Sequence, residues 1–579
     1  MATAAPTKEE MLQALQQTLG KKKVLIIDKN APSRESLRLM FGTIGVTAVH
    51  GAGSAAEVVR QVKNTKFDVI ISEFVLDDGR DGQQLLEELR HAKYIPLSTV
   101  YMIVTSERGY TNVVSLAELA PDDYLIKPFT ADQLQPRLIR AIYRKFILRK
   151  IYERLERNEL HEAIVACDRV VQQYPAYAAE AQHYKGDILL NLGRYDEAEE
   201  VFSRVLEERE VPWAKMGLAT ALRDKGALDD AESLAKQVLD EAPQFLALHD
   251  FLAGIYTAKG DLEAAQATLQ KAAEASPHNT ARQRTMGDVA LRNGDLQTAQ
   301  RAFGRVLERN RGSTTRCVDD FANLARVYVE RGDYASSRRL LGDLKREFRN
   351  DRQAELAAMT TEVLCLQAEG SKSQAAALLK EAVALQKTLQ SESVTTNLQI
   401  SPKIATDLAM ACYQGGMNEE AAGIIRKVAA ENNEDHSVLD QIHSVFERTG
   451  RSEAGQTLLD NVNKEIIELN NRGVVAARQG NFEGSVKLLI EAADKVPNLQ
   501  FLVNASKAIY TLLDQKGWDS ALASRALNYL QRAEQKDPQS PKVASAKELY
   551  MNVSKKYGTF ADPNAYAMPP SNTDKETKK

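Results

Sequence analysis

The segment NLGRYDEAEEVF at residues 191–202 returns in altered form as DKGALDDAESLA at 224–235, AKGDLEAAQATL at 258–269 and RNGDLQTAQRAF at 292–303. The glycines are 33, 34 and 34 residues apart, and an alanine follows each glycine after five positions. These turn residues are Gly193, Gly226, Gly260, Gly294, Ala198, Ala231, Ala265 and Ala299. Glycine permits a tight turn between two antiparallel helices, and alanine lets those helices approach closely. Because one helix pair cannot bury its apolar face alone, the repeat predicts a stack of such pairs.

The repeat extends on both sides of these four units. Asn158 replaces the glycine in the preceding RNELHEAI, and Pro175 follows it at the same distance at which Pro243 follows Gly226. Later glycines recur with spacings that vary from 30 to 46 residues, so that either some units are degenerate or insertions lengthen particular helices. The pattern resembles the tetratricopeptide repeat (TPR), most regularly between about residues 150 and 345. The resemblance implies an all-α superhelical solenoid that binds a protein partner on its concave surface. We expect the arginines of these helices to lie on solvated faces.

Before residue 145 the pattern is of another kind, because short apolar runs alternate with amphipathic stretches. The expected strands are 24–27, 47–50, 69–71, 100–104 and 124–126, and the expected helices are 33–41, 55–62, 83–89 and 113–119. Continuous apolar runs of this length suit strands that are buried on both faces of a parallel sheet. Five such units predict a doubly wound α/β domain whose working site lies beyond the carboxyl ends of the strands.

Four motifs accompany these strands: VLIIDKN at 24–30, DVIISE at 68–73, VYMIVTS at 100–106 and DDYLIKPF at 122–129. Together they resemble the receiver domain of response regulators, a CheY-like, flavodoxin-like α/β fold with a five-stranded parallel sheet. The roles that the resemblance implies are a phosphoacceptor position at Glu73, an acidic Mg²⁺-binding pair at Asp28 and Lys29, phosphoryl contacts at Thr105 and Lys127, and a switch aromatic at Tyr124 that swings inward when the site is occupied.

Two of these positions depart from the family pattern. Lys29 places a cation where Mg²⁺ requires an oxygen ligand, and the carboxylate of Glu73 extends one methylene beyond that of an aspartate. We therefore predict a pseudo-receiver with no cofactor and no metal, in which Glu73, Lys29 and Lys127 form a fixed charge cluster. Glu73 then either imitates the phosphorylated state or only holds the site closed, and Asp28 can pair with Lys127. Asp77 and Asp78 in the following loop are possible alternative acceptors, although an ordinary solvated loop is the simpler interpretation.

Composition restricts the classes of function. The 579 residues carry a formal net charge of −4, which gives no basic field for nucleic acid or a membrane surface. No stretch approaches the length of an apolar membrane span, and the N-terminus does not resemble a signal peptide. The four cysteines are far apart, which predicts buried thiols in a reduced, cytoplasmic protein. No phosphate-binding loop, DNA-binding helix-turn-helix or interpretable set of catalytic residues is evident, so we expect no enzyme activity.

The predicted organisation is an N-terminal extension at 1–20, a receiver-like domain at 21–145, regular repeats at 146–345, divergent repeats at 346–555 and a disordered tail at 556–579. Thr130 is a natural helix N-cap, and the segment that follows keeps helical period as far as Asn158. The last receiver helix is therefore expected to continue into the first repeat without a flexible linker. This geometry would transmit a receiver rearrangement, or would simply space the domains.

These features predict a bacterial-type signalling adaptor in which the pseudo-receiver controls or docks a protein-binding scaffold. The expected partners are a protein on the concave repeat surface and a histidine kinase or other signalling protein at the receiver. Two alternatives stay open. One is a phosphorylatable two-component response regulator with the same binding output, and the other is a structural assembly scaffold whose receiver only dimerises.

Overall fold

A computed structural model describes residues 19–76, 81–106, 121–313, 315–396, 400–432, 436–496, 499–536 and 540–557. The chain divides into two compact units, Met1–Ala421 and Ala422–Lys579. A five-stranded parallel sheet and a run of helix pairs form the first unit, and helices form the described part of the second. The structure confirms the predicted fold class of an α/β domain followed by an all-α repeat region.

Because all strands of the sheet are parallel, their carboxyl ends lie along one edge. Its strands are β1 (Lys23–Ile27), β2 (Ala48–Ala52), β3 (Val69–Glu73), β4 (Val100–Thr105) and β5 (Asp123–Ile126). All neighbours are parallel in the order β2-β1-β3-β4-β5, with Val24 opposite Val69 and Val69 opposite Val100. Each predicted run lies within or overlaps one of these strands. The carboxyl ends of β1, β3 and β5 therefore point to the same edge, where the sequence predicts the site.

Helices cover both faces of the sheet. They are α1 (Ala31–Thr43), α2 (Ala55–Asn64), α3 (Gly82–His91) and α4 (Ala131–Glu156). Successive residues of β1 enter different cores, because Val24 and Ile26 pack in one apolar cluster and Leu25 and Ile27 in the other. This two-sided burial explains why the strands have no polar alternation. The predicted helix at 113–119 lies outside the described residues.

The helix α4 joins the sheet to the repeats without a break. Its 26 residues begin after Thr130, whose backbone N–H donates to the side chain of Gln133 (3.0 Å). Leu138, in its first half, packs in the core of the sheet, whereas Ile151, in its second half, packs with the first repeat helices. The prediction of a helix continuous across the domain boundary is confirmed.

Antiparallel helix pairs follow in the first unit. They are α5 (Leu160–Gln173), α6 (Ala178–Asn191), α7 (Tyr195–Glu208), α8 (Pro212–Asp224), α9 (Leu228–Glu241), α10 (Ala247–Ala258), α11 (Leu262–Ala275), α12 (Thr280–Arg292), α13 (Leu296–Arg309), α14 (Val318–Glu330), α15 (Tyr334–Glu347), α16 (Arg352–Ala368), α17 (Lys372–Thr396) and α18 (Pro402–Gln414). The four turn glycines have φ between 70° and 89°, and the four alanines are fully buried. Asn158, which was predicted to replace a glycine, has φ 57°. The left-handed backbone at each turn is the physical reason for these residue types.

Long helices occupy the widest and the narrowest of the glycine intervals. In the first unit, α17 has 25 residues, which widens the interval between Gly370 and Gly416. The helix α19 (Asn418–Glu431) contains the division between the two units. The second unit contains α20 (His436–Arg448), α21 (Ser452–Arg478), α22 (Phe482–Lys495), α23 (Leu499–Lys516), α24 (Ser520–Lys536) and α25 (Pro541–Lys556). One helix of 27 residues, α21, fills the 30-residue interval between Gly450 and Gly480, where a regular unit would have a helix pair.

The structure describes residues close to the first and the last predicted boundaries, at 20 and 556. Leu19 belongs to the predicted extension, yet it is buried in the core of the sheet. The last helix ends at Lys556, at the first residue of the predicted tail. The remainder of that tail, from residue 558, lies outside the described residues.

Candidate functional site

Three charged side chains meet at the carboxyl edge of the sheet. Asp28 follows β1, Glu73 ends β3 and Lys127 follows β5. The Lys127 ammonium donates to Asp28 Oδ2 (2.9 Å) and to Glu73 Oε2. The exposed fractions of these side chains are 3% for Asp28, 12% for Glu73 and 25% for Lys127. The sheet thus brings residues far apart in sequence into one ion-paired charge cluster, defined here as Asp28, Glu73 and Lys127.

Backbone donors occupy the other oxygens of both carboxylates. Asp28 Oδ1 accepts from the Asn30 N–H (2.8 Å), and Glu73 Oε1 accepts from the Phe74 N–H (3.1 Å). Arg34 Nη1 donates to the Asp28 carbonyl oxygen (2.6 Å) and fixes the backbone at this point. Both carboxylates are therefore held by hydrogen bonds to both of their oxygens. Sequence reasoning missed both residues, because Asn30 has no role in the family pattern quoted above and Arg34 lies beyond the motif at 24–30.

The electrostatics favour a charged lysine. Partial burial acts to lower the pKa of Lys127, but the hydrogen bonds and charges of Glu73 and Asp28 outweigh it and raise that pKa above its usual value. The ammonium therefore stays protonated at neutral pH and balances one of the two negative charges.

The other predicted site residues lie around this cluster. The Thr105 side chain is buried, and the Thr105 carbonyl oxygen accepts from the Lys127 N–H (2.8 Å). Tyr124 lies outward with 39% exposure, and its carbonyl oxygen accepts from Arg137 Nη1 (2.6 Å). Asp77 and Asp78 lie outside the described residues.

Lys29 was expected to belong to the charge cluster, but the structure places it outside that cluster. Its side chain is exposed, whereas that of the preceding Asp28 is buried. Adjacent residues that leave a strand point to opposite sides, which explains the difference. The arrangement contains one ammonium between two carboxylates.

The charge cluster offers few open oxygen ligands to a divalent cation, because both oxygens of each carboxylate already accept hydrogen bonds. Both carboxylates already bind the Lys127 ammonium, and Lys29 supplies no acidic oxygen. Among the residues that the structure describes, no group of three or more His, Cys, Asp or Glu is placed to hold a metal ion. Mg²⁺ requires several oxygen ligands and would have to displace the ammonium.

A contact that the sequence did not predict joins the receiver-like domain to the repeats. Asp81 precedes α3, where its Oδ1 accepts from the Gln84 N–H (2.7 Å) and caps the helix. Its Oδ2 accepts from Nη1 of Arg309, at the end of α13 (2.7 Å), and Gln84 Nε2 donates to the Arg309 carbonyl oxygen. The Asp81 and Arg309 side chains are only 14% and 12% exposed. We call this contact, made by Asp81, Gln84 and Arg309, the α3 latch.

The α3 latch lies close to the charge cluster. The Gly82 N–H donates to the carbonyl oxygen of Phe74 (2.7 Å), the residue after Glu73. A Cβ at Gly82 would lie 2.6 Å from the Glu73 carbonyl oxygen, so α3 begins directly against the end of β3. Burial raises the pKa of Glu87 on the same helix, against the opposing effect of Arg309. The latch is thus a largely desolvated joint between β3 and the repeats.

A second set of ion pairs ties α4 to both domains. Lys145 Nζ donates to the Leu97 carbonyl oxygen (2.7 Å) and pairs with Asp122 Oδ1 (2.9 Å). Burial lowers the pKa of Lys145, and Asp122 opposes that shift. Arg144 Nε donates to Glu180 of α6 (2.7 Å). The helix α4 therefore binds both Asp122, the residue before β5, and Glu180 in the first repeats.

Some repeat arginines are buried, so the expectation of solvated faces is wrong for them. The Arg282 side chain is fully buried and donates to both oxygens of Asp250 (2.8 and 2.7 Å). Arg326 on α14 donates to Asp407 on α18 (2.6 Å), and both side chains are 9% exposed. Each ion pair joins two different helices, and the Arg282, Arg326 and Asp407 side chains have little or no contact with water.

All four cysteines are free thiols, and three of them are buried. Cys167, Cys365 and Cys412 are buried and free, as predicted, whereas Cys317 is only partly buried. Burial raises the pKa of Cys167 to about 12, which keeps that thiol protonated. Among the described helices, none is both long enough and apolar enough to cross a membrane.

Comparison with known families identifies both parts of the chain. Residues 24–139 match the response regulator receiver domain. Residues 179–210, 222–288 and 284–351 match three families of tetratricopeptide repeat. These matches confirm both resemblances that were drawn from the sequence.

Individual curated relatives match less than a third of this chain. The alkaline phosphatase synthesis transcriptional regulatory protein PhoP of Bacillus subtilis is 26% identical over 180 residues, which are 30% of this chain and 72% of PhoP. The probable transcriptional regulators ycf27 of Cyanophora paradoxa and Guillardia theta are 29% and 30% identical, each over 22% of this chain. The chain spans 50% and 46% of the length of these two relatives. A solved tetratricopeptide repeat protein from Parabacteroides merdae is 15% identical, with a TM-score of 0.30 over 42% of this chain and 93% of that chain.

Proposed function

Because the chain joins a response regulator receiver domain to tetratricopeptide repeats, we propose that it is a signal-transduction adaptor whose receiver works without phosphorylation or metal. The observation that carries this proposal is the Lys127 ammonium bound to both Asp28 and Glu73. In phosphoryl transfer the protein mainly positions groups and neutralises charge. Here the lysine that the family uses for phosphoryl oxygens forms ion pairs with two carboxylates of its own chain.

Of the two roles considered for Glu73, the outward Tyr124 favours a pocket held closed. The family resemblance implies an inward aromatic in the occupied state, and Tyr124 is 39% exposed while Glu73 binds Lys127. A carboxylate that fully imitated a phosphoryl group would be expected to draw the aromatic inward. We therefore propose that the charge cluster is a fixed structural joint between β1, β3 and β5.

The receiver then acts by docking. The α3 latch and Arg144 hold it on the repeats at two separated places, Arg309 and Glu180. We propose that this docked receiver sets the position of the repeat helices, and that the repeats bind a protein partner. Free cysteines, three of them buried, support a reduced cytoplasmic location, and the similarity to the Bacillus subtilis regulator supports a bacterial-type pathway. Its output is a binding event, with no catalytic residue assigned.

A magnesium titration of the full chain tests the metal-independent receiver. A ligand that binds only the folded state raises Tm, and the rise grows with the logarithm of the ligand concentration divided by Kd. We expect millimolar Mg²⁺ to leave the Tm of the native chain unchanged relative to Ca²⁺-free and Mg²⁺-free buffer of equal ionic strength. The variant Lys29→Asp restores an acidic ligand and serves as the positive arm. A saturable Mg²⁺-dependent rise in the native chain would contradict the proposal.

A further inference from the structure

A second polar site lies beside β2, the outermost strand on the side of the sheet away from β5. A cavity of about 420 Å³ opens beside the edge strand β2, between α1 and α2. Arg38 of α1 and Arg60 of α2 line it, together with His50 of β2. None of its lining residues belongs to the charge cluster or the α3 latch.

The charged side chains that line the cavity are of one sign. Among the described residues that line it, none is an aspartate or glutamate. Both arginines are exposed, and the nearest carboxylate to Arg38 is that of Glu35, at 3.9 Å. The Glu35 and Arg38 side chains are 62% and 51% exposed, so water and salt screen this pair strongly. The two arginines therefore bring positive charge to the lining of the cavity, and the ion pair at Arg38 offsets little of it.

The walls of the cavity are built on regular elements. Gln61 Nε2 donates to the Gly51 carbonyl oxygen (2.9 Å), which ties α2 to the edge of β2. The His50 ring packs edge-on against Phe67, with ring centroids 5.3 Å apart. Asn64 Nδ2 donates to the carbonyl oxygen of Arg60 (3.0 Å). These contacts hold α2 and His50 in place beside β2. The two arginines come from separate helices, Arg38 from α1 and Arg60 from α2.

We propose that this cavity binds a compact oxyanion that carries two or more negative charges. A planar guanidinium donates paired hydrogen bonds to carboxylate or phosphate oxygens, and two of them match a ligand with two anionic groups. The volume lies within the range of small-molecule sites. The shared chemistry is an oxyanion pair, supplied either by phosphate groups or by carboxylates. This site is independent of the function proposed above, because it uses other residues.

Isothermal titration of the full chain with pyrophosphate, and separately with citrate, tests the proposal. We expect saturable binding of at least one probe at a single site, weakened at least tenfold by Arg38→Gln and by Arg60→Gln. The probe that binds more tightly identifies phosphate or carboxylate as the ligand chemistry. Lys66→Gln is the matched control, since Lys66 is exposed, lies close in sequence and does not line the cavity.

Three results would overturn the proposal: no saturable heat with either probe, equal weakening in the Lys66 control, or loss in only one of the two arginine variants. Arg38→Lys and Arg60→Lys separate a geometric requirement from a charge requirement. We expect each lysine variant to bind the probe more weakly than the native chain and more tightly than the corresponding glutamine variant. Lysine keeps the positive charge but lacks the planar guanidinium that donates paired hydrogen bonds. Circular dichroism and Tm of every variant show that the fold is retained.

Discussion

Breaking the α3 latch should loosen two segments that are far apart in sequence. Arg309→Gln removes the cation from Asp81 Oδ2, and Asp81→Asn removes the anion while an asparagine still caps α3. The Gln84 hydrogen bond to the Arg309 carbonyl oxygen does not depend on either side chain. The two variants therefore isolate the ion pair from the rest of the contact.

The magnitude follows from the burial of the pair. Two charges about 4 Å apart attract by about 4 kcal/mol at an effective dielectric constant near 20. Desolvation and the fixing of two long side chains oppose that gain, and side chains that are 14% and 12% exposed lie between the surface and buried limits. We expect a coupling energy of about 1–2 kcal/mol, which is roughly a 5- to 30-fold change in a local opening equilibrium.

Native-state hydrogen exchange of the full chain measures this opening, because a chain with two compact units does not unfold in one step. Amides in α3 and at the end of α13 should exchange faster in each single variant, and the double variant should add little to either. Arg305→Gln, one turn away on the exposed face of α13, is the matched control. Additive effects of Asp81→Asn and Arg309→Gln, or unchanged exchange in both segments, would refute the latch.

Three further variants test buried or partly buried positions in the receiver-like domain and the repeats. Lys127→Met should destabilise the receiver by about 2 kcal/mol because it leaves two carboxylates unpaired, and Glu73→Gln in the same chain should recover part of this loss in thermal melts; no recovery would argue against the charge cluster. Gly186→Ala places a Cβ 2.3 Å from the Phe202 ring and should cost about 1–3 kcal/mol, whereas the control Gly304→Ala, which meets nothing within 4 Å, should not lower Tm. Asp319→Asn should raise Tm at pH 7. Burial raises the folded-state pKa of that carboxyl, so its ionisation costs stability above the unfolded-state pKa, and a gain that failed to shrink as pH falls toward about 4 would contradict this reasoning.

Local sequence signals were sufficient to predict the elements of the fold. The apolar run before Asp28 and the glycine at each repeat turn report burial and backbone conformation, which depend on a few neighbouring residues. The helix through residues 131–156 was predictable for the same reason, because its cap and its period are local. The interval filled by α21 was harder, since a long helix and a divergent pair share the same glycine boundaries.

Contacts between distant segments could not be derived in this way. Nothing near Arg309 indicates that its partner is Asp81, 228 residues earlier, because the contact depends on how the repeats stack. The sequence did place Glu73 and Lys127 at the edge of one sheet, since parallel strand ends converge there. It could not decide that Lys29 points away, because the direction of a side chain after a strand depends on the exact residue at which the strand ends.

Intact-mass analysis of the full chain, incubated with a small phosphodonor and Mg²⁺, tests the central claim most directly. We predict that the native chain acquires no phosphoryl group, because the Glu73 carboxylate is bound by Lys127 and the Phe74 N–H, and Lys29 stands where the family has an acidic residue. The double variant Lys29→Asp, Glu73→Asp restores the family pattern and is the positive comparison. A mass increase of one phosphoryl group on the native chain, abolished by substitution of Glu73, Asp77 or Asp78, would contradict the account.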